Sequence, residues 1–539
     1  MKPRKRLSIP PNNNRRKKKE LSEAGLLAAI VFWCLTGCEV GPNYRAPEMK
    51  LPGSFTSGSP PRKLKTDLNG ANQSDKPVID AANWWRGLHD QELNSLVTRA
   101  IQNNLNIEIA LDRMQEARMQ EAVVTGVALP EVGFSAGGGR GTGSDLARGR
   151  AAQSLVSAEN TGKLKQVTHI LGGAGEWELD LFGKFRREIE AAKYDTQAAI
   201  AARNEVLISV IADVTRSYVD MRGFQMELAV LLKNIDVAQQ YLNLTQERFN
   251  RGITNELDVT LAQRQLASLQ AEKMPLVSQI NAAQDVIAVL LGSFPEDSTR
   301  ELKRSGLIPS LPEKIDAGFP PTLLRRRPDI HEAERELASA TARVGVATAD
   351  LFPHVVLIGS AGMQGQGIGV TPASGSFIWS AGPAVSWSLL DFGALDALVN
   401  VADLRTREML ANYKQTVLNA VQEVDTSISS YASQQDRLEY LTTALAASQR
   451  AVSLATERFD RGLTDSLNVI DAERQEFELE DEYVLAQRTA AEQFIALYKA
   501  LGGGWEDYQS FPPIRRPQPA IIAAFTRLLS SDVTNKTQH

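Results

Sequence analysis

"ERFNRGIT" spans Glu247 to Thr254 and "ERFDRGLT" spans Glu457 to Thr464; six of the eight positions are identical between the copies. The same register extends well outside the echo. Arg264-Gln265 falls on Arg474-Gln475, Leu257 on Leu467, Val259 on Val469 and Leu291-Gly292 on Leu501-Gly502. Upstream, "WELDLFG" (177–183) falls on "WSLLDFG" (387–393). One structural unit is therefore used twice, with a period far longer than that of solenoid repeats.

The segments leading into the two echoes are defined by what they lack. The stretch from Ala394 to Arg461 contains neither Gly nor Pro. The equally long stretch from Lys184 to Arg251 has no Pro and a single Gly, Gly223. As continuous helix each would reach about 100 Å. Positions 200, 207, 214, 221, 228, 235, 242 and 249 are apolar, and so are 410, 417, 424, 431, 438, 445, 452 and 459. A strict spacing of seven imposes coiled-coil packing. The second seam is weaker: Val210, Phe224 and Leu231 alternate with Ser217 and Thr245, as suits a helical wall wetted on one side. Each helix ends at "RG", where Gly252 and Gly462 suit a left-handed residue just past the terminus. A second helix of about 36 residues then turns back. The prediction is two helical hairpins with the echoed motif at their tips.

The opposite ends read as strands. "FIWSAGPAVSWSL" (377–389) places Phe, Trp, Ala, Pro, Val, Trp and Leu at odd positions, an alternation with one apolar face. Trp379 and Trp387 share that face, about 26 Å apart along a strand, near the height of a membrane barrel's apolar band with its aromatic girdles. "EWELDL" (176–181) alternates acids with Trp177, Leu179 and Leu181. Preceding strands are expected at 130–138 and 353–361, each opening with Pro. Strands of a soluble sandwich produce the same alternation, but between long coiled coils on an exported chain the membrane reading prevails. Four strands cannot close a barrel, for which about eight are needed, so the chain must oligomerise.

The N-terminus (1–20) carries nine Lys/Arg and is followed by the apolar run "AGLLAAIVFWCLTGC" (24–38). That run is too short for a membrane-spanning helix, which needs about 20 apolar residues, and suits a secretory leader. A nucleic-acid reading of "RRKKK" (15–19) is open to such runs in general, but it sits beside this leader. "LTGC" (35–38) either takes a lipid on Cys38 or is a small-residue cleavage site with an incidental cysteine. Loss of the leader (1–37) leaves 50 basic against 62 acidic side chains, a net charge of −12, which argues against nucleic acid as a partner. The composition, 43% apolar and 23% charged, excludes a disordered chain.

In its ordered combination of "LTGC", "GPNYRAPE" (41–48), "WW" (84–85), "LRRRPDIHEAE" (324–334), both "WxLxxFG" strands and both "ERFxRGxT" tips, the chain resembles the TolC family of outer-membrane efflux proteins. Within that family it is similar to the lipoprotein, NodT-like branch serving resistance-nodulation-division pumps. The resemblance covers residues 38 to 512. It implies a mainly α fold with membrane β: a homotrimer whose 12-stranded outer-membrane barrel continues into a long periplasmic α-helical barrel. It further implies a diacylglycerol and an N-acyl chain on Cys38, with no other cofactor and no metal. Its partners would be outer-membrane lipid, a periplasmic membrane-fusion adaptor and an inner-membrane resistance-nodulation-division transporter. The expected organisation is a leader (1–37), a lipidated segment with part of the equatorial region (38–91), a first repeat (92–292), an equatorial linker (293–327), a second repeat (328–502) and a tail (503–539).

The resemblance also assigns sites. Gly252, Ile253 and Thr254, with Gly462, Leu463 and Thr464, would be turns that dock the adaptor; the bland reading is that the glycines only cap helices. Leu467, Asp471 and Arg474 share a helix face with Glu478 and match the family's aperture spacing, with Arg474 tying an acidic ring to its neighbours. The first copy keeps Leu257, Leu261 and Arg264 without an acid. The plain alternative is a solvated helix face. Enzymatic readings find little: "HEAE" (331–334) lacks the second His of a zinc helix, and "GGGRGTG" (137–143) lacks the Lys of a phosphate loop and reads as the start of an extracellular loop. The expected function is a passive exit duct for small molecules in a tripartite efflux pump. The alternatives are metal-ion or protein export through the same duct, and a lipid-anchored coiled-coil spacer with no pore.

Overall fold

The computed structural model describes residues 39–52, 81–142, 165–296, 302–312, 325–366, 377–464 and 466–508. The leader, Cys38 and the tail beyond Tyr508 lie outside the described residues. The first repeat runs through α1 (Gln91–Asn103), α2 (Leu105–Val127), β1 (Glu131–Thr142), β2 (Lys165–Leu179), α3 (Lys184–Asn250) and α4 (Glu256–Leu290). The second runs through α5 (Pro328–Ala349), β3 (His354–Gln366), β4 (Phe377–Ser386), α6 (Ala394–Asp460) and α7 (Ser466–Ala500). No described helix is long and apolar enough to cross a membrane.

The long helices follow the expected bounds closely; α3 and α6 have 67 residues each. Their heptad positions carry the packing. Leu207, Val214 and Met221 are fully buried in α3, as are Val417, Val424 and Tyr431 in α6. Of the sixteen seam positions only Phe249 is exposed. The lone glycine of α3 also has its reason. A Cβ on Gly223 would stand 2.6 Å from Cδ of Arg488 on α7, whose guanidinium lies over the Phe224 ring and donates to Glu227 at 2.9 Å.

The helical stretch ahead of β1 is broken in two. Asn104, buried between α1 and α2, takes the N–H groups of Asn106 and Ile107 on its Oδ1 and donates to the Leu290 carbonyl at the end of α4. It thus caps one helix start and one helix end with a single side chain. Pro275, inside α4, removes a donor from the helix; residues 271–275 are all exposed, so water can satisfy the freed carbonyl.

The strands form one antiparallel sheet in the order β1-β2-β3-β4. All are longer or shorter than the sequence pattern suggested. β1 runs on to Thr142 and takes in most of "GGGRGTG", because Gly137, Gly138, Gly139 and Gly141 are each paired with β2, as in Gly139 with Thr168. The reading of that stretch as a loop is corrected: low strand propensity is overridden by a flanking partner. β3 continues to Gln366, and β4 stops at Ser386, so Trp387 lies just beyond the strand.

Two compact units cut across the two repeats. The first joins residues 1–54, 116–203 and 320–422 and holds the sheet. Its helical part packs Ile330 and Ala333 of α5 against Tyr413, Val417 and Ala420 of α6, with Met49 and Leu51 laid on top. The second unit joins 55–115, 204–319 and 423–539. The "WW" pair forms its core: Trp84 and Trp85 are each 1% exposed, Trp84 stacks on Tyr498 at 5.7 Å, and Phe494 packs edge-on against Trp84 and at a tilt against Tyr498.

Candidate functional site

The two hairpin tips lie in the second unit and are built alike. In the first, the Gly252 N–H donates to the Phe249 carbonyl and the Ile253 N–H to the Arg248 carbonyl. In the second, Gly462 donates to Phe459 and Leu463 to Arg458, each at 2.9 Å. Both are paired helix-end turns that satisfy the last carbonyls through a left-handed residue. Gly252 has φ of 73° and Gly462 of 70°. A Cβ at either would meet nothing within 4 Å, so backbone conformation alone demands glycine there. The turns push apolar groups outward: Ile253 is 68% exposed and Leu463 64%.

Past the turn the two copies differ. Asn255 caps α4 by accepting from the Asp258 N–H at 3.1 Å, and Thr254 Oγ1 donates to the Asp258 carboxylate. In the second tip Asn468 stands in the place of Asp258 and donates to Thr464 Oγ1 at 2.7 Å. The tips also touch within one chain: the Arg248 guanidinium lies 4.3 Å from the centroid of the Phe459 ring.

Asp471, Arg474 and Leu467 fall on one stretch of α7. Asp471 accepts from Arg474 Nη2 at 2.9 Å and from Gln475 Nε2 at 3.0 Å. Both members of the pair are about half exposed, where such a contact contributes roughly 0.3–0.5 kcal/mol. In the single chain the Arg474 guanidinium is engaged by its own helix, three residues back. Leu467 is 62% exposed, matching Leu257 at 63%. Leu467, Arg474 and Glu473 share a groove with Leu261, Arg264 and Tyr241. The arginines of both copies therefore flank one groove, which the sequence spacing did not reveal. Burial, and then neighbouring Glu476, push the Glu473 carboxyl above its ordinary range.

At the sheet end, within the first unit, the chain that follows Cys38 is strapped down. The Val40 N–H donates to the Phe182 carbonyl at 3.2 Å. Arg187, its side chain 3% exposed, donates to the Val40 carbonyl, to Asn43 Oδ1 at 2.6 Å and to Glu190 at 2.7 Å. Sequence reading missed Arg187; the one available signal was that its counterpart in the second copy is Ala397. Trp177 and Trp387 occupy equivalent places. Their indole N–H groups donate to the carbonyls of Ala128 and Leu351, each just past the helix that precedes its strand pair. Trp379 stands on β4 and is 71% exposed. Among the described residues no group of three or more His, Cys, Asp or Glu is placed to hold a metal ion.

Comparison with known proteins agrees with this geometry. The sequence profile of the family described as "Outer membrane efflux protein" matches residues 96–293 and 319–503, one segment in each repeat. "Nodulation protein T" of Rhizobium leguminosarum bv. trifolii is 30% identical over 472 residues, covering 87% of this chain and 95% of that protein. "Antibiotic efflux pump outer membrane protein ArpC" of Pseudomonas putida is 27% identical over 491 residues, 90% of this chain and 96% of its own. Among solved structures, the outer-membrane channel OprN is 33% identical with a TM-score of 0.76, over 87% of this chain and all of that one. The chain belongs to the TolC family of outer membrane efflux proteins, in its NodT-like branch.

Proposed function

We propose that three copies of this chain form the outer-membrane exit duct of a tripartite efflux pump. The duct passively conducts small molecules that an inner-membrane resistance-nodulation-division transporter delivers through a periplasmic adaptor. One observation carries the reading: a four-stranded antiparallel sheet with β1 and β4 as open edges, in a chain with two helices of 67 residues. An open sheet in a bilayer leaves unsatisfied backbone groups, and three such sheets make a closed barrel of suitable size. Trp379 and Trp387 would face lipid at its two rims. Light scattering of the detergent complex should give three protein chains, and reconstitution in a planar bilayer should give discrete conductance steps. A monomer, or a silent bilayer, would defeat the duct reading.

The strap through Val40 and Arg187 supports a lipid on Cys38, because it holds the residues just after that cysteine beside the junction of β2 and α3. Intact-mass measurement should find diacylglycerol and an N-acyl chain there; an unmodified thiol would remove the anchor. The exposed Ile253 and Leu463 support docking of the adaptor at Gly252, Ile253 and Thr254 and at Gly462, Leu463 and Thr464. For the gate, three copies of Asp471 would crowd around the axis with Arg474 beside each. Like charges about 4 Å apart repel by roughly 4 kcal/mol at an intermediate effective dielectric. Arg474→Ala should therefore raise the open fraction, and Asp471→Ala should weaken block by multivalent cations. If Arg474→Ala and Arg264→Ala both conduct like wild type, this face of α7 is only solvated.

A further inference from the structure

A cavity of about 120 Å³ lies between α3, α4 and α7, within the second unit. Val237 and Tyr241 line it from α3, Leu261 and Leu269 from α4, and Ile470 and Phe477 from α7. These pairs are four, eight and seven residues apart, so each falls on one apolar face of its helix.

Two guanidiniums stand on the same wall, and they are not equivalent. Arg474 has a carboxylate, that of Asp471, three residues back on its own helix at 2.9 Å. Arg264 is its counterpart in the first copy, and there the residue three back is Leu261. Arg264 is exposed, and among the described residues no hydrogen bond or ion pair engages it. Leucine in place of aspartate thus leaves a planar cation without an acid and sets an apolar group beside it.

The aromatic walls are shared just as unequally. Tyr241 corresponds to Ala451 in the other copy, and Phe477 to Ala267. Both hairpins close the same tip geometry, with these rings or without them, so the hairpin itself does not require them. Glu473 is the acid on the wall of the cavity, and burial works against its charge. The arginines therefore dominate the charge that an occupant meets. A concave, largely apolar site with a few placed polar groups is the usual form of a small-molecule site.

We propose that this cavity binds a small aromatic carboxylate. Its ring packs on Tyr241 and Phe477, and its carboxylate takes the Arg264 guanidinium in a two-pronged contact, the part that Asp471 plays for Arg474. All the walls belong to one chain, so the site does not rest on the duct reading.

The test is a ligand-observed NMR titration of the full-length chain in detergent with sodium benzoate, against detergent alone. Benzoate should bind saturably, and Arg264→Gln should weaken it about tenfold or more. Leu261→Asp, which gives Arg264 the acid of the second copy, should weaken it as much. Tyr241→Ala and Phe477→Ala should each cost about threefold. Acetate lacks the ring and benzylamine carries the opposite charge; neither should saturate in the same range. Absence of saturable benzoate binding, or binding that Arg264→Gln and Leu261→Asp both leave unchanged, overturns the site. Benzylamine binding as tightly as benzoate overturns the ligand class, and acetate doing so overturns the part given to the rings. Chain count and conductance are untouched by any of these outcomes, so the duct reading is judged separately.

Discussion

Ile208 on α3 and Leu418 on α6 occupy the same place in the repeat, yet Ile208 is 1% exposed and Leu418 59%. Ala191 and Val401 show the same contrast, at 3% and 42%. The seam residues do not: Val214 and Val424 are both at 0%. A duplicated sequence has thus produced two equal inner faces and two unequal outer faces. The seams of both helices are closed within the single chain, whereas the flanking face of α3 at Ile208 is covered and that of α6 at Leu418 is left open. The difference locates the surface that assembly must cover.

The largest expected effect tests the equality of the inner faces. Val214→Asp and Val424→Asp each place a charge without a partner in a closed seam. Each should lower unfolding stability by about 3 kcal/mol or more, measured by urea unfolding followed by circular dichroism in mild detergent. A twofold difference between the two variants would break the equivalence.

The next effect tests the outer faces. Ile208→Ala should cost about 3 kcal/mol whether or not the chain is assembled. Leu418→Ala should cost under about 0.5 kcal/mol in the dissociated chain and show itself only as weaker association, read from the trimer fraction on mild-detergent gels. Equal losses for both in dissociated chains would mean that the outer face of α6 is not open.

Gly252→Ala and Gly462→Ala sharpen the likeness of the tips. Each forces a Cβ into the left-handed region at a cost of about 1–2 kcal/mol, with no clash to add. Hydrogen exchange of the amides of Ile253 and Leu463, which close the two turns, should accelerate by similar factors in the two variants. If one tip tolerates alanine, its turn is held by something other than the shared backbone geometry.

The smallest effect concerns an acid that only one junction has. Burial, and then its hydrogen bond to Asp220, push Glu492 on α7 up to about 7. Arg216 and Asp220 face it from α3, and Arg488 from its own helix; nearby Glu227 is also raised by burial. In the other copy the corresponding places hold Ser430 and Ala282. A carboxyl raised in the folded state holds its proton longer than in the unfolded chain, so stability should fall as pH rises from about 4.5 to 7. Glu492→Gln should flatten that slope, measured as melting temperature against pH. An unchanged slope would assign the pH dependence elsewhere.

Much of this architecture was legible in the residues because it depends on local rules. Apolar residues every seventh position, two long runs almost free of Gly and Pro, and glycine after "ERFxR" are enough to specify long helices, their seam and their tips. The strand ends were less legible. Glycines 137, 138, 139 and 141 look like a loop until a paired strand lies beside them, and Trp387 looks like a strand residue although its indole ties back to Leu351. At the gate, the spacing of Leu467, Asp471 and Arg474 was visible, but the ion pair within one helix and the groove shared with Arg264 were not.

The sequence by itself determined the duplication, the heptad seams, the hairpin tips and the family, because each is written in spacing along one chain. Only the tertiary structure decided that Asn104 splits a helix, that Arg187 clamps the segment after Cys38, and that Ile208 is covered while Leu418 is bare. Those outcomes depend on groups far apart along the chain. Helical and strand periodicity says which face of an element is apolar; it does not say what, if anything, will come to lie against it.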